Sequence, residues 1–139
     1  MASSWRNPRY PQVVAEIQNA GFEVYDFRHP PDINAGFNWH EIDPNWEKWS
    51  MKQFIKALNH PLPCRAFKSD TGGMAWANIC VLVCPCGRSS HIEAGYMKGQ
   101  GKPVIVLLDE ERPELSYKLF DKICVTTSEV IEALNHLGV

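Results

Sequence analysis

Apolar positions recur with a different period in successive segments of the chain, and each period predicts an element. From Pro8 to Ala20 they fall at helical spacing and Gly21 follows as a C-cap, so this segment is predicted to be a helix. The next segment, FEVYDF from Phe22 to Phe27, alternates aromatic and β-branched residues, which predicts a strand. The stretch RHPP follows it and predicts a loop.

The middle of the chain is predicted to hold an irregular loop and two helices. The loop, from Asp32 to Asp43, is polar and aromatic without a clear period, and loops of this kind often cover sites or contact partners. The Asp43-Pro44 pair suits an N-cap and a first helical turn, which predicts a second helix before Pro61. Asp70 is predicted to cap a further short helix from about Thr71 to Trp76.

The second half of the chain alternates short apolar runs with helical patterns. The run from Ile79 to Val83 is too short for a helix before Pro85, so it is predicted to be a buried parallel strand. The elements predicted after it are a helix from Ser90 to Gln100, a strand from Pro103 to Leu108, a helix from Pro113 to Phe120, a short edge strand KICVT and a helix from Ser128 to Leu137.

This order of elements predicts an α/β fold, a parallel sheet of four to five strands with helices on both faces. Residues Met1 to Ser4 are all that precede the first helix, so the first strand is predicted to be very short or missing. A length of 139 residues is that of one ordinary domain, and we expect a single domain over residues 1–139. A short strand in the middle of a sheet leaves backbone groups unpaired, which predicts a homo-oligomer, a dimer or tetramer, with the region from Asp32 to Trp49 at its interface or at a neighbouring site.

Charge and hydropathy exclude two classes of partner. The net charge is −2 and the isoelectric point is about 6.2, so the chain carries no electrostatic track for a nucleic-acid polymer. No apolar run approaches the roughly 20 residues of a membrane span, and the N-terminus MASSWRNPRYP lacks the apolar core of a signal peptide. We therefore expect a cytoplasmic protein without a membrane partner. The composition is compatible with a small neutral or anionic ligand.

The five cysteines are an odd number, and three of them lie in or directly after the strongest strand signal, which favours reduced thiols. Cys84, Cys86 and His91 have the spacing C-x-C-x4-H, without a second CxxC pair or a nearby carboxylate cluster. Alternate strand residues also point to opposite faces of a sheet. We therefore predict no metal site and interpret these cysteines as small buried residues.

Polar residues follow the predicted strands at their carboxyl ends, where an open parallel sheet binds its ligands. All four groups are expected along one edge of the sheet. They are Ser3, Ser4 and Arg6 after the first strand, Asp26 and Arg28 after the second, Arg88, Ser89, Ser90 and Glu93 after the third, and Asp109 and Glu110 after the fourth.

Glu93 has two interpretations that use the same local geometry. Ser90 and Glu93 fit the S-x-x-E capping box, in which a hydroxyl and a carboxylate satisfy the backbone donors of a helix start. Ser89, Ser90 and the backbone N–H groups, with Arg88 beside them, equally suit a bound anion. Elsewhere, Trp39 is interpreted as a core or interface residue, with stacking on a planar base as the alternative.

Two segments, SDTGGMAWANICVLV and SSHIEAGYMKGQGKPVIVL, resemble the nucleoside 2-deoxyribosyltransferase-like superfamily. The resemblance covers Ser69 to Leu108, and Ser3 to Phe27 supports it more weakly. It implies a flavodoxin-like or Rossmann-like fold and cleavage of the N-glycosidic bond of a nucleoside or nucleotide, without metal or cofactor. Glu93 falls on the position of the family's catalytic glutamate. The resemblance thus implies that the Glu93 carboxylate attacks the anomeric carbon as the base departs.

The same resemblance implies roles for further residues. Asp70 falls on an acidic position that helps transferase members handle the leaving base. The Ser4-Trp5-Arg6 stretch is similar to the S-x-R of nucleotide-hydrolase relatives, which binds the 5′-phosphate, and Ser89 or Ser90 matches the contact from the third loop. The residues expected to bind substrate are Ser3, Ser4, Arg6, Asp26, Trp39, Gly87, Arg88, Ser89 and Ser90.

The sequence departs from the family near the catalytic position. Gly87 stands where transferase members usually carry an Asp, six residues before the catalytic Glu, and Asn78 stands where an Asp is common. These differences favour a nucleoside 5′-monophosphate over a free deoxynucleoside. The missing carboxylate at Gly87 leaves a second class of function open, a non-catalytic module that senses or sequesters a nucleotide. A third alternative is cleavage of NAD, since the related TIR fold uses a Glu near this position.

Overall fold

The structure is a computed structural model that describes residues 1–31, 37–109 and 114–138. The chain divides into two compact units, one comprising Met1–Asp26 and Trp76–Val139 and the other Phe27–Ala75. A single domain over residues 1–139 stays a prediction. Among the described residues, no helix combines the length and the apolar content needed to cross a membrane.

Four strands and five helices form the described part of the chain. The strands are β1 (Ala2–Ser3), β2 (Cys80–Val83), β3 (Val104–Leu107) and β4 (Lys122–Cys124). The helices are α1 (Tyr10–Asn19), α2 (Met51–Ala57), α3 (Pro61–Trp76), α4 (Arg88–Gly99) and α5 (Thr127–His136). Short 3-10 helices occupy Trp39–Glu41, Trp46–Lys48 and Leu115–Leu119.

The strands form one parallel sheet in the order β1-β2-β3-β4, which confirms the predicted α/β fold and its very short first strand. Ser3 pairs with Val83, Val83 with Leu107, and Leu107 with Cys124. Each of these residues ends its strand, so the four carboxyl ends lie in register along one edge. The arrangement is consistent with a flavodoxin-like fold.

The core lies around β2 and β3, whose eight residues are all buried. Their continuous apolar sequences, CVLV and VIVL, suit strands covered by helices on both faces. Helix α4 packs on β1, β2 and β3, whereas α5 packs on β3, β4 and α1. Each fully buried Val, Leu or Ile side chain contributes about 1.5–3 kcal/mol relative to an exposed one.

The predicted strand from Phe22 to Phe27 is wrong, because Phe22–Asp26 has no regular secondary structure. A strand needs a neighbour of matching length, and β1 has two residues. The Met1 ammonium group donates a hydrogen bond of 3.1 Å to the Tyr25 carbonyl oxygen. Upstream, Gly21 follows α1 with a φ of 94°, the left-handed conformation expected of a residue that ends a helix.

Strand β1 lies at an edge of the described sheet, so its predicted position in the middle is wrong. The homo-oligomer that was inferred from a central short strand stays a prediction. Part of the proposed interface, residues 32–36, lies outside the described residues.

In the second unit the Asp43-Pro44 pair does not start the predicted helix. Asp43 instead accepts hydrogen bonds from the Asn45 backbone N–H at 2.8 Å and from the Trp49 indole at 2.6 Å, which hold a tight turn. Ser50 caps α2, with Gln53 completing its capping box. The helix that the sequence places before Pro61 is therefore shorter and starts later than predicted.

Pro61 begins α3 rather than ending a helix, since a first helical position needs no backbone N–H. Helix α3 contains the predicted segment Thr71–Trp76 and extends ten residues upstream of it. Asp70 consequently lies inside the helix, and its predicted N-cap role is wrong. Near the C-terminus, the predicted helix from Pro113 to Phe120 is a 3-10 helix over Leu115–Leu119, and Pro113 lies outside the described residues.

Candidate functional site

The loop after β1 is fixed to the carboxyl end of β2 by buried hydrogen bonds. The Ser3 hydroxyl donates to the Val83 carbonyl oxygen at 2.7 Å. The Asn7 amide donates to the Ser3 hydroxyl at 3.1 Å and to the Val83 carbonyl at 3.3 Å, with Asn7 1% exposed. The sequence prediction missed Asn7, although an Asn just before the Pro8 that leads into α1 is a signal for a turn.

Three arginines belong to the segments that follow β1 and β2. Arg6 is exposed, and its backbone N–H donates to the Ser4 hydroxyl at 3.1 Å. Arg9, which the sequence prediction did not include, donates from Nη1 to the Leu108 carbonyl oxygen at 3.2 Å, just beyond β3. Arg88 is the exposed first residue of α4. The paired ends of β1, β2 and β3 place the loops that follow them at one edge of the sheet, as predicted. Asp26 and Arg28 were predicted to follow a strand, and no strand forms there, whereas Glu110 lies outside the described residues.

Ser90 and Glu93 do not form the predicted capping box. Gly87 is the N-cap of α4 and makes no side-chain cap, which puts Ser90 at the third helical position. The buried Ser90 hydroxyl donates to the Ser3 carbonyl oxygen at 2.8 Å. Glu93 therefore lies in the second turn of α4, where its carboxylate has no capping role.

The Glu93 and Asp26 carboxylates both act on the Met1 ammonium group, which directly precedes β1. Burial lowers the pKa of the Met1 ammonium group, while Cys80, Glu93 and Asp26 act to raise it. Burial raises the pKa of the Cys80 thiol to about 11, an effect that the Met1 ammonium opposes and the Glu93 carboxylate reinforces. Asp26 also accepts a hydrogen bond of 3.1 Å from the hydroxyl of the fully buried Tyr10.

Two predicted site residues, Asp70 and Trp39, belong to the second unit. Partial burial in α3 raises the pKa of the Asp70 carboxyl. The Trp39 ring makes edge-on contacts with aromatic side chains at centroid distances of 4.6 Å to Phe37, 5.4 Å to Phe54 and 5.9 Å to Trp49. The roles of Asp70 in catalysis and of Trp39 in base stacking stay predictions.

The structure brings Cys84, Cys86 and His91 together at the end of β2. Their potential ligand atoms all lie within 4.8 Å of one another. The expectation that these side chains diverge is wrong because β2 ends at Val83 and the chain bends at Cys84 before α4 begins. All five cysteines are free thiols. This cluster is the group among the described residues that is able to hold a metal ion.

Comparison with models of known protein families and with curated protein sequences finds no match to the chain. The local geometry of the candidate site therefore carries the functional argument, together with the resemblance in the sequence.

Proposed function

We propose that the protein cleaves the N-glycosidic bond of a nucleoside 5′-monophosphate or a related nucleotide, with Glu93 as the nucleophile. The observation that carries this proposal is the position of Glu93, half-buried in the second turn of α4 and outside the capping box that the sequence offers it. The same helix begins at the carboxyl edge of the sheet, where open parallel sheets bind their ligands, and Glu93 follows five residues after its first residue, Arg88.

The start of α4 supports a phosphate-binding role. Gly87, the N-cap of this helix, provides no side-chain cap, and Arg88 and Ser89 in the first turn are exposed. Arg6, on the neighbouring loop after β1, adds a second cation. Helix N–H groups and guanidinium groups are the usual partners of a phosphate in proteins.

Ser3 and Ser90 contribute differently from what the sequence predicts. Both are buried, and each hydroxyl proton is donated to a backbone carbonyl of the protein. We assign them to positioning the loop after β1 against α4. Ser4, Arg6, Arg88 and Ser89 are the more exposed members of the predicted set and stay the proposed phosphate ligands.

The proposed reaction proceeds in two steps, formation of a glycosyl-Glu93 ester and its hydrolysis. The Glu93 carboxylate attacks the anomeric carbon, a C–O bond forms, and the C–N bond breaks with its electron pair leaving on the base, which takes up a proton. Water then attacks the glycosyl ester, which releases the sugar phosphate and restores the carboxylate. In the sequence-based assignment Asp70 assists the leaving base and Asp26 belongs to the substrate-binding residues. The Asp26 carboxylate accepts a hydrogen bond from the Tyr10 hydroxyl.

The test is incubation with purine and pyrimidine nucleosides and their 5′-monophosphates, in ribose and deoxyribose forms, followed by chromatography for free base. We expect base release that falls by more than about 1,000-fold in Glu93→Gln, as for loss of other catalytic nucleophiles. Glu132→Gln, an exposed change on α5, is the matched control with unchanged activity. Release that survives in Glu93→Gln, or no release from any substrate, overturns the proposal.

A non-catalytic nucleotide-binding module is the second candidate, favoured by Gly87. Its φ is −89° and a Cβ built there meets no atom within 4 Å, so a side chain fits. If the missing carboxylate is what limits catalysis, Gly87→Asp gains base release. A wild-type protein that is stabilised by a nucleotide, and returns that nucleotide intact, supports the binding module.

The third alternative, cleavage of NAD, is tested by including NAD in the panel and assaying released nicotinamide.

The proposed homo-oligomer has a candidate surface on α4. Ile92 and Tyr96 lie one turn apart and are 71% and 53% exposed. Light scattering of the wild type and of Ile92→Glu tests whether this surface forms the oligomer, and a monomeric wild type excludes the oligomer.

Location in the cytoplasm stays a prediction.

A further inference from the structure

Three potential metal ligands meet where β2 ends and α4 begins. The Sγ atoms of Cys84 and Cys86 are 3.9 Å apart, and Cys86 Sγ is 3.7 Å from Nδ1 of His91. We propose that Cys84, Cys86 and His91 bind one Zn²⁺ ion. This site is independent of the proposed glycosidase activity and uses none of its reacting groups.

Two of the three ligand separations are close to those around a tetrahedral zinc ion. Bonds of about 2.3 Å to sulfur and about 2.0 Å to nitrogen place two sulfur ligands about 3.8 Å apart and a sulfur and a nitrogen about 3.5 Å apart. The two sulfur atoms are 3.9 Å apart, and Cys86 Sγ is 3.7 Å from His91 Nδ1. All three ligand atoms lie within 4.8 Å of one another, so binding one ion requires the side chains to draw closer together. Hydrogen bonds between thiols are weak, so they do not by themselves require this spacing.

The backbone holds the ligands in place before any ion binds. Cys84 is 0% exposed and follows directly on the central strand β2. His91 lies in the first turns of α4, whose N-cap is Gly87, and Cys86 occupies the short connection between the two elements. Ligands on a rigid strand end and helix start lose little conformational freedom on binding.

Tyr117 provides the outer partner that metal-bound histidines usually have. Its hydroxyl is 3.0 Å from His91 Nε2 and 3.8 Å from Cys84 Sγ, and its ring stacks on the imidazole at 5.8 Å. Because a tyrosine hydroxyl both donates and accepts, it serves either imidazole tautomer. With the proton on Nε2, this N–H donates a hydrogen bond to the Tyr117 hydroxyl oxygen, and Nδ1 is left to bind the ion.

Binding changes the protonation of the cluster. In the other tautomer the His91 Nδ1–H donates to the Gly87 carbonyl oxygen, which lies at 2.8 Å, so this bond is given up when the ion binds. Each thiol releases its proton to solvent and forms a Zn–S bond in place of the S–H bond, while the imidazole keeps one proton, on Nε2, and binds through the Nδ1 lone pair. Two thiolates and a neutral imidazole leave one tetrahedral position for water.

The experiment uses the full chain, reduced and freed of metal, titrated with Zn²⁺ in competition with a chromophoric chelator. Titration with Co²⁺ in parallel reports thiolate ligands through charge-transfer absorption and tetrahedral geometry through its d–d bands. We expect one equivalent of either ion. Cys86→Ser and His91→Gln each weaken zinc affinity by at least about 100-fold, since even outer partners of metal ligands contribute about 10- to 100-fold.

Two variants serve as matched controls. His136 resembles His91 in its local bonding, because its Nδ1 lies 2.7 Å from the backbone carbonyl oxygen of Glu132, four residues earlier. His136→Gln removes this imidazole, which lies outside the cluster. Cys64→Ser removes an exposed thiol from another helix. Both are expected to bind zinc with wild-type affinity, and Tyr117→Phe to bind it about 10- to 100-fold more weakly with an unchanged cobalt spectrum.

Several results overturn the proposal. The first is a reduced wild type that binds neither Zn²⁺ nor Co²⁺, and the second is one that binds only Cu⁺. The third is zinc binding that persists in Cys86→Ser and in His91→Gln. Circular dichroism of each variant separates lost ligands from lost folding, and Cys86 is chosen over the fully buried Cys84 for that reason. A wild type that binds after reduction but not after oxidation shows that thiols are ligands and supports the site.

Discussion

The hydroxyl of Ser90 donates a hydrogen bond of 2.8 Å to the backbone carbonyl of Ser3, across 87 residues of sequence. This bond joins the first turn of α4 to the two-residue strand β1. It also explains why α4 begins two residues before its predicted start, since the serine that resembles an N-cap is engaged elsewhere. Glu93 therefore lies about one turn further from the helix start than its predicted third position.

Replacing Ser90 by Ala is expected to destabilise the protein by about 1–3 kcal/mol, because the buried Ser3 carbonyl loses its donor. Urea denaturation of the two proteins measures the difference. Ser89→Ala is the matched control, because Ser89 is exposed in the same helical turn, and its effect is expected to stay within about 0.5 kcal/mol. Equal effects of the two changes would contradict a structural role for the Ser90 bond.

Asp121 is expected to contribute stability that disappears in acid. Burial acts to raise the pKa of its carboxyl, but hydrogen bonds from Lys98 Nζ at 2.7 Å and from the Val104 backbone N–H at 2.8 Å hold the pKa below its usual value. A lowered folded-state pKa stabilises the protein above the unfolded value of about 3.9, and this stabilisation is lost as the pH falls through the folded-state pKa.

Asp121→Asn keeps an acceptor for Val104 and removes the charge. It is expected to cost about 1 kcal/mol or less at neutral pH, since the Lys98 pair is partly exposed, and nothing at acid pH. Urea denaturation over a range of pH and salt measures this. Lys98→Met should reproduce the neutral-pH loss, and a cost for Asp121→Asn that is independent of pH would refute the argument.

Asp70 is expected to show the opposite dependence. Burial raises the pKa of its carboxyl, so folding is penalised as the pH rises above the usual value of about 3.9. Asp70→Asn should therefore stabilise the protein at neutral pH and leave it unchanged in acid. Asp43→Asn is the contrasting control, because hydrogen bonds from Asn45 and Trp49 lower the pKa of Asp43.

The same Asp70 variant separates two roles. If base release falls in Asp70→Asn while thermal denaturation shows a more stable protein, the carboxyl assists the leaving base. A stabilised variant with full activity shows that the residue has no part in the reaction.

Cysteine alkylation is expected to distinguish the thiols in the folded protein. Cys64 is exposed, whereas burial raises the pKa of Cys80 to about 11 and also raises the pKa of Cys124. Because the thiolate is the reacting form, iodoacetamide at neutral pH should label Cys64 and leave Cys80 and Cys124 unlabelled until denaturant is added. Peptide mass spectrometry measures this, and equal labelling of Cys80 and Cys64 in native protein would contradict burial of β2.

Sequence patterns predicted the central strands well because their signal is local and strong. The runs around β2 and β3 are buried on both faces, so continuous apolar sequence was sufficient to identify them. The segment Phe22–Phe27 has an equally strong alternating pattern and forms no strand. Its pattern reports residue preference, whereas a strand also depends on the length of its neighbour, and β1 offers two residues.

The candidate site was predictable in part for the same reason. The edge of the sheet followed from the order of the elements, and the register of Ser3, Val83 and Leu107 confirms it. The roles of Ser90 and Asn7 were missed because their hydrogen-bond partners are 87 and 76 residues away along the chain. The meeting of Cys84 and Cys86 with His91 depends on a bend after β2 that residue spacing does not encode.

The aligned ends of the four strands determine where an inserted residue would disturb the fold and where it would not. A residue inserted within β2 would turn its buried side chains to the opposite face, against both neighbouring strands. The last backbone bond at this end of β3 runs from the Leu108 N–H to the Cys124 carbonyl oxygen at 2.8 Å, so residues inserted after Leu108 leave the register of β2 and β3 unchanged. Loop grafting at that boundary offers a route to new ligand preferences on an unchanged scaffold.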